Sequence, residues 1–423
     1  MNKKRRTKVL AELCRILLGI IFIFSGFVKA VDPVGFSIKI EEYLSAFELD
    51  FFSLPATFMA FCIISVEFAL GVSLLLGVYR RWISIGIFLL MCVMTPLTLV
   101  LAVFNPVADC GCFGDALVIS NWETFFKNVI LFIAAVIVLI YHRRLLSFYT
   151  HKVYGFVALF SLLFCMGFCY YNYSHLPVID FRPYKVGKNI TQLMEIPEDA
   201  PRDEYHFIYR KDGVEKEFSL EDVPVGDDSW TYVDAKLVKQ GFIPVVSSFE
   251  LYDKDQQNVA DVILNDPRIL FLLIAPELDH ASDKHIDAIN NIYDYARENE
   301  LPFFAATSSS DVLITEWKKH TGADYSFLTA DDVLLKTIIR SNPGLVLLKE
   351  GTILAKWHHN DIPEEEQLKE IIPDYAAASF TATKENRLWT SIILGFTLPL
   401  LTVWVYDFFR NRNLRKKTDS YIH

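Results

Sequence analysis

No cysteine occurs between residues 172 and 386 of this 423-residue chain, and no lysine or arginine between 105 and 123. The first absence excludes thiol–disulfide exchange by that long stretch on its own, because exchange needs a thiolate. The second is a topological signal, used below. Charge is sparse, at 22% of residues, and the net balance is −10. No basic stripe is on offer to a nucleic acid, so none is expected as a partner. No phosphate loop, dinucleotide fingerprint or serine-hydrolase elbow occurs. With 14% aromatic residues the chain is not a disordered one. What is plentiful is apolar sequence, 52% of the residues, gathered into a few long runs that exclude an ordinary soluble enzyme.

A helix needs about 20 apolar residues to cross a bilayer. Six stretches qualify, roughly 9–30, 56–78, 82–104, 124–141, 153–171 and 388–408. The first runs straight into Lys29, Asp32 and Pro33 with no small-residue cleavage site, so it reads as a retained helix. Orientation follows the positive residues of the short loops. One side collects Lys3, Lys4, Arg5, Arg6 and Lys8, then Arg80 and Arg81, then Arg143, Arg144 and Lys152. The tail adds Arg410, Arg412, Arg415, Lys416 and Lys417 to that side. The opposite loop 31–55 sets Lys39 against Asp32, Glu41, Glu42, Glu48 and Asp50, and the opposite loop 105–123 has no cation at all. The expectation is a multi-pass membrane protein with both termini cytoplasmic and residues 172–386 outside, which is the periplasm for the bacterial inner membrane that the resemblance described below implies.

In the exported stretch, Tyr205–Tyr209 and Glu215–Leu220 flank an Asp212-Gly213 turn, which predicts a hairpin. Gly241–Tyr252 is a further β-rich run. Strands are then predicted at Arg268–Ile274, Pro302–Ala306 and Leu345–Leu348, the last turning at Gly351 into Thr352–Trp357. Helices are predicted at His280–Arg297, Asp311–His320 and after Pro363. This order of a small α/β domain resembles the thioredoxin-like fold over about 250–375. The resemblance makes Pro343, in Ser341-Asn342-Pro343-Gly344, the matching cis-proline. The family's Cys-x-x-Cys would fall at Glu277-Leu278-Asp279-His280-Ala281-Ser282, where no cysteine stands.

The seven cysteines are Cys14, Cys62, Cys92, Cys110, Cys112, Cys165 and Cys169. Those inside spans read as small apolar packers, including Cys165 and Cys169, which share a helix face. Cys110 and Cys112 differ. They stand in the outward loop Asp109-Cys110-Gly111-Cys112-Phe113-Gly114, on the side where disulfides persist. Gly111 lets the backbone bend between them. A bridge across one residue is strained, and strained exposed bridges are the labile ones. A redox pair, a structural clip and a chance pair are the readings; two thiols with no nearby histidine do not make a zinc site, so no metal is expected.

Ser25-Gly26-Phe27-Val28-Lys29 leading into Asp32-Pro33, Glu67 ahead of Gly71 and Leu74-Leu75-Leu76-Gly77, and Cys110-Gly111-Cys112-Phe113-Gly114 before the fourth span together resemble the DoxX/MauE membrane family, a four-helix bundle over roughly 8–145. The whole arrangement resembles the long Bacteroidota-type members with an exported thioredoxin-like domain. The resemblance implies membrane redox or disulfide chemistry. MauE-type members are associated with maturation of a disulfide-rich periplasmic dehydrogenase, and DoxX-type members with quinone-linked electron transfer, so a quinone is the cofactor it suggests. Such bundles usually relay electrons to a second cysteine pair; here only one outward pair is evident.

The division expected is a four-helix membrane domain at 1–145, a fifth span at 146–171, a β-rich linker at 172–249, a thioredoxin-like domain at 250–386, and a last span with its basic tail at 387–423. Glu67 lies near the middle of its span, where a carboxylate is costly and often functional. By helix rise it is about 16 Å deep and Arg15 about 22 Å. The two are expected to pair; a proton carrier or a protonated carboxyl bonded to a helix neighbour are the other readings. His358 and His359, adjacent on a strand, are expected to form a surface pair rather than a metal site. Asn172 and Asn189 stand in glycosylation triplets that are incidental in a bacterium. The leading function is an integral membrane oxidoreductase component for exported thiol proteins, carried by Cys110 and Cys112 with Glu67 as proton carrier. The alternative is a scaffold that presents a non-catalytic binding domain for envelope assembly; a transporter is weaker, having few polar groups inside the bundle.

Overall fold

The computed structural model describes residues 3–49, 55–107, 109–227, 229–239, 241–376 and 383–422. Asp50 and the side chains of Lys3, Lys4, Arg412, Arg415, Lys416 and Lys417 lie outside the described residues. Among the described residues, six helices are long and apolar enough to cross a membrane: Arg5–Val31, Ala56–Leu76, Arg80–Phe104, Asn121–Arg144, His151–Ser174 and Leu388–Asn411. These are the six expected spans, with ends shifted by a few residues.

The bundle is built from α1 (Lys3–Val31), α2 (Pro33–Ala46), α3 (Ala56–Leu76), α4 (Arg80–Phe104), α5 (Asn121–Tyr141) and α6 (Tyr154–Ser174). Helix α2 corrects the expectation of a loop at 31–55. Asp32 caps it by accepting from the Gly35 amide at 2.8 Å, and Pro33 opens its first turn. Helices α1 and α3 meet at glycines: a Cβ on Gly26 would stand 2.9 Å from the Phe68 amide nitrogen, and one on Gly71 would stand 2.8 Å from that of Ile23. Small residues at such crossings let backbones approach closely where lipid supplies no hydrophobic drive. Helix α6 lies against α3 and α1, with Phe168 stacked on Phe27 of α1 at 5.6 Å. Its Asn172 is buried, donates to the Ala30 and Phe168 carbonyls, and accepts from the Val178 amide. That engagement removes it from any surface modification.

Beyond α6 come α7 (Ile190–Met194), then β1 (Glu204–Lys211), β2 (Val214–Phe218) and β3 (Thr231–Lys239), which form a separate antiparallel sheet of order β2-β1-β3. The expected hairpin is there. The run at Gly241–Tyr252 is not a strand; the third strand is Thr231–Lys239 instead. Pro244 interrupts that run, whose backbone makes only scattered bonds, among them Phe242 N to Pro201 O, Val246 N to Leu193 O and Tyr252 N to Thr329 O, rather than a ladder.

The α/β unit follows with α8 (Ala260–Leu264), β4 (Leu270–Ile274), α9 (Ile286–Glu298), β5 (Phe303–Thr307), α10 (Asp311–Thr321), β6 (Ser326–Thr329), α11 (Asp332–Ile338), β7 (Gly344–Lys349), β8 (Thr352–His358) and α12 (Glu365–Ala376). The sheet order is β6-β5-β4-β7-β8, with β4, β5 and β6 parallel, β7 antiparallel to β4, and β8 antiparallel to β7. Helices cover both faces, which is why β4 is apolar at every position: Leu270 and Leu272 enter one core, Phe271 and Leu273 the other. The order is that of a thioredoxin-like domain, and the Asn342–Pro343 peptide is cis, as the resemblance implied. Strand β6 and helix α11 were not expected from the sequence. Tyr184, Ile190, Val246 and Phe249 share the core of this unit, so its packing begins well before residue 250. Helix α13 (Thr383–Ile422) returns alongside α6 through Phe396, which stacks on Phe160 and meets Phe164 at a tilt.

Candidate functional site: a buried thiol pair beside an ion pair

Helix α4 ends at Asn105 in a left-handed conformation, and α5 starts at a capping box made by Ser120 and Glu123. Between them Asn121 donates to the Asn105 side chain and the Val107 carbonyl, which pins the base of the cysteine loop. Gly111 takes φ +63°, and the Gly114 amide returns to the Gly111 carbonyl at 3.1 Å. This turn sets the thiols of Cys110 and Cys112 within hydrogen-bonding reach of each other. Both residues are buried, at 5% and 7% exposure. That corrects the picture of an exposed pair.

Two side chains hold the loop by its carbonyls. Ser25 Oγ of α1 donates to Cys112 O at 2.7 Å, and Tyr43 Oη of α2 donates to Cys110 O at 2.7 Å. Beneath the loop, Lys29 Nζ donates to Ser25 Oγ at 3.1 Å and to Glu67 Oε2 at 2.8 Å. Lys127 of α5 lies over the Phe113 ring, 4.1 Å from its centre. The hydrogen bond from the Cys110 thiol, opposed by burial and supported by Lys127 and Lys29, holds the Cys112 thiol at about 6. The same arrangement drives Cys110 upward, because its proton is the one shared with Cys112 and the site is desolvated. The pair is therefore poised with one thiolate and one thiol near neutrality.

Glu67 does not pair with Arg15. It pairs with Lys29. Arg15 sits toward the opposite end of the bundle, ion-paired with Glu12 at 2.7 Å and donating to the Leu75 and Leu146 carbonyls, where it satisfies backbone groups at the end of α3. The sequence reading also missed Ser25, Lys29, Tyr43 and Lys127. The four-residue spacing of Ser25 and Lys29 places them on one helix face, and that was the signal available.

The second thiol pair, Cys165 and Cys169, is buried on α6, its thiols in hydrogen-bonding reach of each other and Cys165 near the Ile64 carbonyl. Cys62 and Cys92 are half-buried and Cys14 buried in the bundle. His358 is buried, not on the surface as expected; burial, then His359 and His175, push it down to about 3. Its ring lies 4.0 Å from that of His359, whose Nδ1 meets Ser341 Oγ. Glu277, Asp279 and His280 are the one group among the described residues with three clustered metal-capable side chains. Glu277 is already bonded to Lys336 and His280.

The cysteine loop faces the α/β unit. Arg340, which follows α11, donates through Nε to Asp32 at 2.9 Å, and its Nη2 lies 3.5 Å from Asp115, three residues beyond Cys112. Burial opposes the charge of Asp32, yet Arg340 and Arg182 keep its carboxyl below the usual range. Asn360 donates to Ser174 O at 2.8 Å, and His175 meets Asp361 at 2.7 Å.

An expected result tests the assignment of the nucleophile. Alkylation of Cys112 by a small maleimide, in a chain whose other cysteines are replaced except Cys110, should rise with a midpoint near pH 6. For an unperturbed thiol it would rise near pH 8.5. A midpoint above 8 would remove Cys112 as the thiolate. Lys127→Met should move the midpoint up.

Residues 7–141 match the model of a family described as Methylamine utilisation protein MauE, and residues 203–240 match a domain of unknown function (DUF8463). The second match spans the three-stranded sheet. Protein TlpB of Flavobacterium psychrophilum is 28% identical over 148 residues, which are 34% of this chain and 39% of that protein. The chain thus matches well under half the length of this curated relative. Among solved structures, the C-terminal domain of a thiol-disulfide oxidoreductase of Bacteroides thetaiotaomicron is 17% identical, with a TM-score of 0.25 over 31% of this chain and 93% of that one. StoA of Bacillus subtilis is 16% identical, with a TM-score of 0.24 over 29% of this chain and 93% of that one. The strand order described above, rather than these scores, carries the fold. The chain is a multi-span membrane protein whose first spans are similar to the MauE family, with a thioredoxin-like domain downstream.

Proposed function

We propose that this protein is a membrane thiol–disulfide oxidoreductase component acting on exported thiol proteins, with Cys110 and Cys112 as its redox pair. One observation carries the reading: two thiols are clasped together at the end of the bundle that faces the thioredoxin-like domain, with cations placed to stabilise a thiolate on Cys112. Starting from the dithiol, the Cys112 thiolate attacks a client disulfide and releases one client thiolate. Cys110 then gives up its proton and attacks Cys112 Sγ, releasing the second. The client leaves as a dithiol, and two electrons have moved from the pair to the client. The reverse sequence oxidises a client dithiol and leaves the pair reduced. Glu67, held by Lys29 close to this chemistry, is the group placed to take and return a proton.

The thioredoxin-like domain has no cysteine, so its part is to position the client rather than to react. The reading also includes kinship with the long DoxX-like proteins, an exported segment at residues 172–386, and cytoplasmic termini. A quinone would supply a two-electron oxidant. The space beside Cys112, lined by Lys29, Lys127, Leu90, Met91, Met94 and Leu131, measures about 30 Å³. Ligand pockets are typically about 300–1,000 Å³, so a quinone ring does not fit there.

Topology is tested first. Reporter fusions after residues 110 and 260 should report the exported side, and fusions after 147 and 415 the cytoplasm, because the positive residues gather on the second side. A cytoplasmic signal at 260 would put the pair in a reducing compartment and end the proposal.

A further inference from the structure

The three-stranded sheet stands apart from the cores of the protein. No residue of β1, β2 or β3 is buried, and among the described residues none joins a hydrophobic core of the bundle or of the α/β unit. One face carries ion pairs, Arg210 with Glu215 and His206 with Glu217. The other carries aromatic contacts, with Tyr209 against Phe218 and Tyr232, and Phe218 against Trp230.

Strands β2 and β3 form the two edges, and β1 is the strand to which each is paired. No other segment among the described residues gives a backbone bond to β3. Strand β3 is nine residues long, and Tyr232, Val233, Leu237 and Val238 along it are exposed. A free strand of this kind is a template for another. Its pairing with β1 is regular from Asp234 to Leu237 and steps over Val233 and Val238 at bulges. The regular edge that a partner strand could match is therefore short.

The sequence of that edge complements itself. Directly opposed residues of an antiparallel pair turn their backbone groups both toward each other or both away. A strand that meets its own copy therefore has one residue on the two-fold axis. With Ala235 on the axis, Asp234 faces the partner's Lys236, Lys236 faces the partner's Asp234, and Val233 faces the partner's Leu237. With Asp234 or Lys236 on the axis, like charges meet there instead. Strand β2 offers no such register: Lys216 on its axis would meet its own copy and set Glu215 against the partner's Glu217. The charges of β3 are available for the contact. Asp234 has no ion pair among the described residues and accepts only from the Ala235 amide, at 2.8 Å. Lys236 reaches Glu217 across β1 at 3.5 Å, with both side chains exposed.

We propose that the outer edge of β3 is a homodimer interface, at which a second copy of this chain pairs β3 to β3, antiparallel about Ala235. The two sheets become one, of order β2-β1-β3-β3-β1-β2. The contact is isologous and closes on itself, and the glutamates of β2 oppose further growth from the remaining edges. A contact this short is weak in free solution, and confinement of both copies to one membrane raises their effective concentration. The proposal is independent of the redox reading of Cys110 and Cys112.

The experiment uses the full chain in detergent micelles, with the dimer fraction read by sedimentation over a range of concentrations. Asp234→Lys sets lysines against lysines twice across the axis and should weaken the dimer about tenfold. Lys236→Asp should do the same with carboxylates. The double swap Asp234→Lys/Lys236→Asp re-creates both unlike pairs and should restore the dimer, which also shows that the single variants had not unfolded. Residues 172–386 contain no cysteine, so the parent chain is the blank for cross-linking. Ala235→Cys, oxidised with copper phenanthroline, should give a reducible dimer on a gel, and Val214→Cys on the opposite edge should not. A chain that stays monomeric at every concentration overturns the proposal. So does a dimer that ignores Asp234→Lys, a swap that fails to restore what the single changes lose, or cross-linking at Val214→Cys in place of Ala235→Cys.

Discussion

Lys29→Met should destabilise the purified protein by about 3–5 kcal/mol, the cost of leaving a buried carboxylate without its cation. The pair is short, at 2.8 Å, and both side chains are buried, at 5% and 10% exposure. Glu67→Met should cost a similar amount by stranding the ammonium. The double variant Lys29→Met/Glu67→Met should recover most of the loss, because two apolar side chains of similar volume need no desolvated charge. Denaturant unfolding in one detergent, read as a double-mutant cycle, measures this. Losses that simply add would show that the two groups do not interact, and the proton role of Glu67 would fall with the pair. The lysine change carries a second expectation. Lys29 is one of the two cations favouring the Cys112 thiolate, and the weaker of them. Its loss should therefore raise the alkylation midpoint of Cys112 by less than Lys127→Met does.

Cys110→Ser and Cys112→Ser should each abolish the activity, while Cys62→Ser and Cys92→Ser should leave it. Exchange needs one thiolate to attack and one thiol to resolve. The two losses should nonetheless look different on a non-reducing gel. In Cys110→Ser the serine hydroxyl can still donate to Cys112, Lys127 and Lys29 remain, and a thiolate persists with nothing to resolve its mixed disulfide. A reducible adduct with the client should accumulate. In Cys112→Ser the remaining thiol is the one that burial drives upward, so it is protonated at neutral pH and should trap severalfold less. Equal adducts from both variants would contradict the assigned roles. If both variants function normally and trap nothing, the pair is a structural clip and the protein a scaffold.

The membrane part of the fold was legible because lipid imposes a crude and long-range rule, a run of apolar residues, that needs no partner to be recognised. The same rule concealed α2. Its 14 residues lie across the end of the bundle, with Ser37 and Ile40 buried and Glu41 and Glu42 exposed, so they have neither the length of a span nor an uninterrupted apolar face. Strands β4, β5 and β7 were legible as apolar runs bounded by turns. Strand β6 has four residues with only Leu328 fully buried, too few to set a period. Strand β3 carries Asp234 and Lys236 on one face and is exposed nearly throughout, so its sequence reads as polar linker. Of the site, the cysteines were found by their place in a cation-free loop. The partner of Glu67 was not. Depth along a helix says how far a group is from the surface but not which way it points, and Arg15 proved to serve the carbonyls at the far end of the bundle. The face that matters is shared by Ser25 and Lys29, and only the packing of α1 on α3 and under the loop brings it to Glu67 and Cys112.

The central claim is that Cys110 and Cys112 change redox state in the cell. A chain keeping only these two cysteines, pulsed in cells with dithiothreitol and then washed, can be acid-quenched at intervals and tagged with a large maleimide. The pair should accept two tags during the pulse and none some minutes after the wash, passing through the mixed-disulfide adduct on the way. A pair that stays oxidised through the pulse, or stays reduced after it, would contradict the account.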